Sequence, residues 1–461
     1  MSSVYGIFNS ALSALYTYTS AIDVISTNIG NVETPGYSRQ QAVIQATAPI
    51  NTINGVIGTG VEVANVQRIY NAFLVTQMRM ANQDMGKWSA QQDSLNSIEQ
   101  VFSNSSDSGL SSTMAAFWNS WQNLVNNPSG STERFLLTNS ADNLAKSFNN
   151  MSSQLDSIQK GIDKSVGENV AAVNSLIQRI ADVNLDIKMT ATAGQNTNSS
   201  KDELDLQVAK LAELININAY TNSNGQISIQ MSNGKPLLEG TSTWFLSTQT
   251  NVTTGLKDIT WPDSSTALVV NDDITGGKLG GYLAVRDTMI TEYQDQLDTL
   301  AQTIIDEVNT LHENGYDIYG NEGGAFFDGA NATDIAVNGD ILDDPGLIAA
   351  ARSTAEAPGN GSNAAAIAEL QNNLFMDSGT ATFSSYYSAL VSKVGATVQT
   401  TDAGYSYQSN SMQAWKNQRD SYSGVSMDEE QTKLILYQNA YTASAKLISI
   451  LDEMMKTLIN L

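Results

Sequence analysis

Apolar residues recur at heptad spacing at both ends of the chain, and this pattern restricts the possible folds more than any other feature. The N-terminal stripe comprises Met1, Val4, Phe8, Ala11, Leu15, Tyr18, Ile22, Ile25 and Ile29, and the C-terminal stripe comprises Tyr437, Tyr441, Ser444, Ile448, Leu451, Met455 and Leu458. Steps of three and four residues place each set on one face of a helix. One stripe alone would indicate an ordinary amphipathic helix. Two stripes at opposite ends of a long chain predict that the terminal helices pair with each other, antiparallel if the chain goes out and returns.

The N-terminal stripe lies in a segment that gives a helix little support of its own. Residues 2–27 contain nine Ser or Thr residues and a single charged residue, Asp23. Helix propensity is therefore low, and ion pairs along the helix are missing. We hypothesise that this segment is disordered in the free monomer and folds on assembly, when its large apolar side chains become buried.

The interior of the chain also has helical periodicity. Apolar stripes run through residues 74–102, 110–124 and 137–187, and the last of these counts Leu176 among its members. Fifty helical residues span ~75 Å, so other helices must lie along this one to cover its stripe. The pattern predicts an elongated helical bundle.

A strand-like period replaces the helical one between residues 217 and 275. Ile227, Ile229 and Met231 alternate with polar residues and precede the turn-forming pair Asn233-Gly234, which predicts a hairpin. Further strands are predicted at Trp244-Phe245-Leu246 and Leu268-Val269-Val270. Helix returns at about 280–314 and at about 382–420, and the stretch between them is rich in Gly, Asn and Asp.

These patterns predict a mainly α fold with an inserted β domain, in which an elongated helical bundle or coiled coil carries antiparallel terminal helices and a small β-rich outer domain. We expect three domains: residues 1–65 with 425–461 as a terminal coiled-coil assembly domain, residues 66–216 with 276–424 as the helical bundle domain (315–380 of mixed structure), and residues 217–275 as the inserted outer domain.

Composition disfavours several classes of function. Only 15% of the residues are charged, against ~25% in soluble domains, and such a surface suits subunits that pack against copies of themselves. The net charge of −24 opposes binding to nucleic acid or anionic membranes. The first basic residue is Arg39, so the N-terminus does not resemble a secretory signal, and no apolar run predicts a membrane span. If the protein acts outside the cell, we expect export without a cleaved signal.

No group of residues indicates catalysis or a cofactor. The chain has no cysteine and one histidine, His312, which excludes disulfides and leaves His312 without a cysteine or second histidine to share a metal. A Ser-His-Asp triad through His312 is formally possible in a chain this rich in Ser and Asp, but we interpret the residue as structural. The segment 276–281 (Gly-Gly-Lys-Leu-Gly-Gly) lacks the spacing of a phosphate loop. We expect no enzyme activity, metal or cofactor.

A helix stop and a tight turn are predicted within residues 28–40. Gly30 or Asn31 can end the first helix in a left-handed conformation. Pro35-Gly36 fits a type II turn, because proline fixes the first corner and glycine takes positive φ at the second. By itself this pattern indicates only a helix, a turn and an extended strand.

Three blocks carry a resemblance to a known family. Thr34-Pro35-Gly36-Tyr37, after an Asn-rich helix end, resembles the turn shared by flagellar rod, hook and hook-associated subunits, and its continuation Ser38-Arg39-Gln40 is most similar to the hook-associated protein 1 family. The second block comprises segment 276–281, Arg286-Asp287, Asn309, His312, Gly315, Tyr316, Asp317, Gly320 and Phe326-Phe327, and the third comprises Ser423-Gly424-Val425, Asp428-Glu429-Glu430, Leu434, Tyr437-Gln438, Ala440-Tyr441, Ala443 and Ala445-Lys446. The blocks lie in order and extend over nearly the whole chain.

This resemblance implies a structural subunit of the bacterial flagellum that forms the junction ring between hook and filament. The implied partners are copies of the chain itself, the hook protein, hook-associated protein 3 and a flagellar export chaperone that holds the C-terminal helix. It also implies export through the flagellar type III apparatus to an extracellular position. The expected assembly interface, taken from the heptad stripes, comprises Val4, Phe8, Leu15, Ile22, Ile25, Ile29, Tyr437, Tyr441, Ile448, Leu451, Met455 and Leu458, and the structural turn comprises Thr34, Pro35, Gly36 and Tyr37.

Other functions stay open at this point. Another axial subunit is the nearest alternative: hook and rod proteins share the turn but are not expected to carry the long tract 137–187, and flagellin should lack the turn. An enzyme built into the β domain is disfavoured because residues 217–275 contain neither His nor Cys. A secreted adhesin would leave the matching terminal heptads without a purpose.

Overall fold

Long helices dominate the computed structural model, which describes residues 2–52, 55–103, 109–222, 225–263 and 267–459. The helices are α1 (Ser2–Gly30), α2 (Ala72–Phe102), α3 (Leu110–Asn126), α4 (Ser131–Thr192), α5 (Asn198–Leu214), α6 (Gly277–Leu283), α7 (Ile290–Glu313), α8 (Gly339–Asp343), α9 (Ser362–Glu369), α10 (Phe383–Ser423) and α11 (Met427–Ile459). A π-helical turn, Ala284–Met289, joins α6 to α7 without a break. Met1 of the N-terminal stripe lies outside the described residues.

The strands lie in three parts of the chain: after α1, in the inserted segment between α5 and α6, and as a short pair after α7. They are β1 (Gln40–Ala46), β2 (Ile50–Thr52), β3 (Gly55–Ile57), β4 (Val61–Arg68), β5 (Ile217–Thr221), β6 (Ile227–Met231), β7 (Pro236–Glu239), β8 (Ser242–Thr243), β9 (Ser247–Thr250), β10 (Lys257–Trp261), β11 (Leu268–Val269), β12 (Phe327–Asp328) and β13 (Ala336–Val337). β1 and β4 form an antiparallel ribbon after α1, and the inserted strands form a sheet of order β5-β6-β7-β8 and another of order β11-β10-β9. The predicted fold class is confirmed: the chain is mainly helical with a small inserted β-rich segment.

Helix α4 is longer than the apolar stripe that predicted it. Its 62 residues span ~93 Å at 1.5 Å per residue. Leu176 of the predicted stripe is half-buried and packs against the buried cluster around Val173 and Ile180, and Ile177, which the stripe omitted, is fully buried. Ile177 lies four residues after Val173 and three before Ile180, so it faces the core, whereas Leu176 is rotated by ~100° from it.

The predicted hairpin is confirmed, with β6 and β7 antiparallel on either side of Asn233 and Gly234, and Gly234 has φ +84°. The strand predicted at Trp244-Phe245-Leu246 is wrong. Trp244 N–H still donates to the Leu237 carbonyl of β7 at 3.0 Å. At Leu246 a helix side chain takes the place of a strand partner: Leu246 N–H donates to Asn174 Oδ1 at 2.9 Å, and Asn174 Nδ2 donates back to the Leu246 carbonyl at 2.7 Å. The run at 268–270 does form β11, which ends at Val269.

The glycines of segment 276–281 serve close helix packing. A Cβ on Gly281 would lie 2.4 Å from the Lys87 carbonyl of α2, and one on Gly277, where φ is +69°, would lie 2.4 Å from the Ile215 amide nitrogen. Across the same crossing, a Cβ on Gly86 would lie 2.1 Å from the Glu213 carbonyl. Only glycine permits this approach, so the segment brings α6 against α2 and the end of α5.

Buried apolar side chains form two separate clusters. The first, which we call the bundle core, contains α3, the first half of α4 to Ile162, α7, and Phe383 to Val398 of α10. The second, which we call the outer core, contains α4 from Val166 onward, α5, the inserted strands and α6. Helix α4 passes through both clusters and therefore connects them.

Candidate functional site

The two terminal helices lie against each other in opposite directions. Near the end of α1, Asn28 Nδ2 donates to Glu430 Oε2 at the start of α11 at 2.8 Å. Ten residues earlier, the rings of Tyr18 and Tyr437 stack with centroids 6.0 Å apart. At the start of α1, a small groove is lined by Val4, Tyr5, Phe8, Leu451, Asp452 and Met455. Positions that move backward along α1 meet positions that move forward along α11, so the pair is antiparallel as the heptads predict.

The twelve residues expected to form the assembly interface differ in how far the single chain covers them. Ile25 and Leu451 are buried; Val4, Leu15, Ile22, Ile29, Tyr437 and Ile448 are half-buried; Phe8, Tyr441 and Met455 are exposed. The side chain of Leu458 lies outside the described residues. The stripes therefore line the contact between the helices, but two helices alone do not enclose it.

The outer faces of the helix pair also carry apolar side chains. On α1, Tyr5, Ile7 and Tyr16 are exposed, and Tyr16 retains 65% of its accessible surface. On α11, Ile435, Leu436, Leu447, Ile450 and Met454 are exposed. A concentration of apolar surface on a helix pair is typical of a site that packs against another protein.

The predicted turn follows α1 directly. Tyr37 N–H donates to the Thr34 carbonyl at 3.2 Å and Gly36 has φ +82°, as a type II turn requires. The expected left-handed end of α1 is wrong, since neither Gly30 nor Asn31 has positive φ. The helix instead unwinds through a further turn in which Thr34 N–H donates to the Asn31 carbonyl at 3.0 Å.

Asn28 connects this turn to both terminal helices. Its side-chain Nδ2 donates to Glu430 Oε2 and to the Gln40 carbonyl, each at 2.8 Å. Its Oδ1 accepts from Tyr37 Oη at 2.8 Å and from Gln40 N–H at 2.9 Å. All four hydrogen-bonding positions of the amide are occupied, and Asn28 is 0% and Glu430 1% exposed. We call these four residues the Asn28 cluster.

The titration properties of Tyr37 suit its role as a donor. Burial, reinforced by the negative charges of Asp202 and Glu430, raises the pKa of Tyr37 to about 12. The hydroxyl is therefore protonated throughout the physiological range and donates to Asn28 without interruption.

Ion pairs extend the cluster to the neighbouring elements. Arg39 Nη1 lies 2.5 Å from Glu429 Oε2 at the start of α11. Ser38 N–H donates to Asp202 Oδ2 of α5 at 3.1 Å, and Arg68 of β4 binds Asp202 at 2.9 Å. The turn thus connects α1, α11, the β1–β4 ribbon and α5.

Sequence reasoning identified the turn but not Asn28 and Glu430 as its central pair. The heptad pattern assigns the contact to Ile25 and Ile29 and leaves Asn28 between them as a helix-end residue. Glu429 and Glu430 belong to the third block of the resemblance, which does not separate them; in the structure Glu430 is buried and Glu429 is exposed. The one sequence feature that could have indicated this pair is Asn28 itself, a polar residue beside the apolar stripe residues Ile25 and Ile29.

His312 is held by two backbone groups in the bundle core. Its Nε2 accepts from Ala349 N–H at 2.9 Å, so the ring proton lies on Nδ1, which donates to the Gly324 carbonyl at 2.6 Å. Burial lowers the pKa of His312 to about 4. The ring is therefore neutral and fully engaged, which agrees with a structural role.

Within the ranges that the structure describes, no group of three or more His, Cys, Asp or Glu side chains is placed to hold a metal ion. Over the same residues, no helix is long and apolar enough to cross a membrane.

This chain resembles known flagellar proteins and families. The family described as flagellar hook-associated protein FlgK helical domain matches residues 95–327, and the one described as flagellar basal body rod FlgEFG protein C-terminal matches residues 416–461. Flagellar hook-associated protein 1 of Bacillus subtilis (strain 168) is 28% identical over 504 aligned residues, which cover 100% of this chain and 99% of that protein. The protein of the same name from Escherichia coli (strain K12) is 24% identical, with 99% of each chain covered. The solved structure of the flagellar hook junction protein FlgK from Burkholderia pseudomallei has a similar fold, with a TM-score of 0.66 at 16% identity over 75% of this chain and 100% of that chain.

Proposed function

Because the chain belongs to the flagellar hook-associated protein FlgK family, we propose that it is the structural subunit that forms the junction between hook and filament. The family consists of structural flagellar proteins, and relatives named as hook-associated protein 1 match this chain over nearly its whole length. That full-length match favours the junction over the hook, rod and flagellin alternatives.

The terminal helix pair carries the proposal. An antiparallel pair with buried polar anchors at one end and apolar side chains on its outer faces is suited to pack beside copies of itself. We propose that these faces, with the twelve residues of the heptad stripes, form the assembly interface within a ring of subunits. The turn 34–37 would then set the angle at which the pair leaves the rest of the molecule.

The hook protein and hook-associated protein 3 are the expected neighbours on the two sides of the ring. We further propose export through the flagellar type III apparatus without a cleaved signal, with a chaperone that covers the apolar face of α11 beforehand. The three-domain division of residues 1–65 with 425–461, 66–216 with 276–424, and 217–275 belongs to the same proposal.

A deletion strain tests the position in the flagellum. We expect electron micrographs to show hooks without filaments, and unpolymerised flagellin in the medium, provided that no paralogue substitutes. Complementation with the full chain should restore filaments, whereas a chain that lacks residues 430–461 should not. Normal filaments on the deletion strain would refute the proposal.

A surface variant tests the interface itself. Ile450→Asp places a charge on the exposed face of α11 and should leave the monomer's circular dichroism unchanged while filaments are lost. The matched control is Lys160→Ala, which removes an exposed ion pair on α4 and should restore filaments fully. If Ile450→Asp restores filaments as well as the control does, this face of α11 is not an assembly interface.

A further inference from the structure

The chain passes between the bundle core and the outer core twice, and both passages lie in the same region of the molecule, where α4 and the start of the π-helical turn are adjacent. On α4 the bundle core ends at Ile162 and the outer core begins at Val166. On the returning chain the outer core ends at Leu283 and the bundle core resumes at Val285. The second crossing lies at the start of the π-helical turn between α6 and α7, and the crossing on α4 is next to that turn in space, because Asp163 binds Arg286.

Three charged residues, Asp163, Lys257 and Arg286, lie in the region between the two cores. Asp163 of α4 lies between the two apolar clusters and is largely buried. Its Oδ1 accepts from Arg286 Nη1 at 2.8 Å and from Lys257 N–H at 2.7 Å, while its Oδ2 lies 2.8 Å from Lys257 Nζ. One carboxylate thus binds both the returning helix and strand β10 of the outer sheet.

Arg286 completes the arrangement from the π-helical turn. It is 1% exposed, and besides Asp163 it binds the Lys257 carbonyl at 2.8 Å and the carboxylate of Asp287 at 2.6 Å. Its own backbone carbonyl accepts from Gln159 Nε2 of α4 at 2.8 Å. The π-helical turn therefore directs both the buried Arg286 side chain and the Arg286 carbonyl toward α4 at one place.

Buried ion pairs contribute specificity of position rather than large net stability, and loss of one partner leaves an uncompensated charge. A polar layer between two apolar clusters also interrupts the continuous packing that makes a core cooperative. Asp163 belongs to neither cluster but is bonded to elements of both. Asp163 is therefore placed where a change in one residue acts on contacts to both cores.

We propose that Asp163, Arg286 and Lys257 form a polar latch between two separately cooperative units, and that the outer core opens on its own when the latch is broken. The outer unit comprises the second half of α4, α5, the inserted strands and α6. The bundle core keeps its own apolar contacts, so it remains closed during this event.

Amide hydrogen exchange with mass spectrometry on the full chain tests the latch. In Asp163→Asn, amides of residues 170–187 and 204–238 should exchange at least about tenfold faster than in the unsubstituted protein, while residues 137–155 and 297–308 should stay within about twofold. The control is Asp156→Asn, which removes an exposed pair with Lys160 on the same helix and should change neither region.

Two results would overturn the proposal. Equal acceleration in both regions would show a single cooperative unit, and acceleration no greater than in Asp156→Asn would show that the ion cluster couples nothing. Lys257→Met provides a milder test if Asp163→Asn does not fold, because it keeps the Asp163–Arg286 pair. It should accelerate exchange in the outer region alone by about threefold, and equal acceleration in both regions would again refute the latch.

Discussion

Removal of the Asn28 side chain should loosen the terminal helix pair at its anchored end. In Asn28→Ala, Glu430 loses its donor at 2.8 Å and keeps only Lys433, whose Nζ lies 3.1 Å from the other carboxylate oxygen. The Gln40 backbone and the Tyr37 hydroxyl lose partners as well. An unsatisfied buried group costs ~1–3 kcal/mol, and more if it is charged. Water can reach Tyr37, which is half-buried, so we expect a total of about 3 kcal/mol.

The assay should report on the helix pair locally. All six tryptophans lie between residues 88 and 415, so tryptophan fluorescence follows the rest of the molecule. Amide exchange in residues 430–451 measures the pair directly, and 3 kcal/mol corresponds to about a hundredfold faster exchange where opening is local. The control is Asn31→Ala, which removes two exposed hydrogen bonds, one to the Thr27 carbonyl and one from Thr34 Oγ1, and should change exchange by less than about threefold.

A negative charge introduced into the Asn28 cluster gives a second test. Asn28→Asp replaces the donor to Glu430 with a second carboxylate in a buried site, so it should destabilise the pair more than Asn28→Ala does. Adding Glu430→Gln to Asn28→Asp restores a donor–acceptor pair and should recover part of the loss. The reasoning is refuted if Asn28→Ala is no worse than Asn31→Ala, or if Glu430→Gln fails to improve Asn28→Asp.

Three further predictions concern other parts of the chain. The unfolded state binds a proton at His312 near pH 6.5, but the folded state does so only near pH 4, so the unfolding free energy should fall by about 3 kcal/mol as the pH falls through that window. Urea titrations should show this fall shrink in His312→Asn, and equal pH slopes would contradict it. Gly281→Ala should destabilise by about 1–3 kcal/mol, because its Cβ meets the Lys87 carbonyl; Gly161→Ala, with open space around it in α4, should stabilise by ~1 kcal/mol in the same thermal melts. The hypothesis that residues 2–30 are disordered in the free monomer conflicts with the α1–α11 pair that the single chain forms, and amide NMR of the free monomer decides between them. Sharp, dispersed signals for residues 2–30 would contradict disorder before assembly, and their absence would contradict a preformed pair and with it the exchange expected for Asn28→Ala.

Local patterns predicted the helices well because apolar spacing reports directly on one buried face. Helix α4 and the hairpin at Asn233-Gly234 follow from periodicity and turn chemistry within a few residues. Errors arose where a tertiary partner replaced a local one. Trp244 to Leu246 have the composition of a strand, but the Asn174 side chain satisfies the backbone at Leu246 instead of a neighbouring strand.

In the candidate site, too, local patterns could be predicted from the sequence and long-range polar contacts could not. Heptad spacing predicted that α1 and α11 pair, since each stripe is visible alone. The Asn28 cluster could not be predicted in this way, because Asn28 and Glu430 are separated by 402 residues and neither residue type signals the other. Likewise, nothing in the sequence around Asp163 indicates that a buried arginine more than a hundred residues later will be its partner.

The contact between α1 and α11 also determines the order of events during synthesis. Asn28 emerges early, and its partner Glu430 is made 402 residues later. Closing a flexible loop of that length costs about 5 kcal/mol in chain entropy. A folded interior shortens the gap that the two ends must cross, so we expect the interior to fold first and the helix pair to close last. Throughout that interval β1 and β4 can lie against α1, but the face of α1 that pairs with α11 is uncovered and open to premature association with other chains.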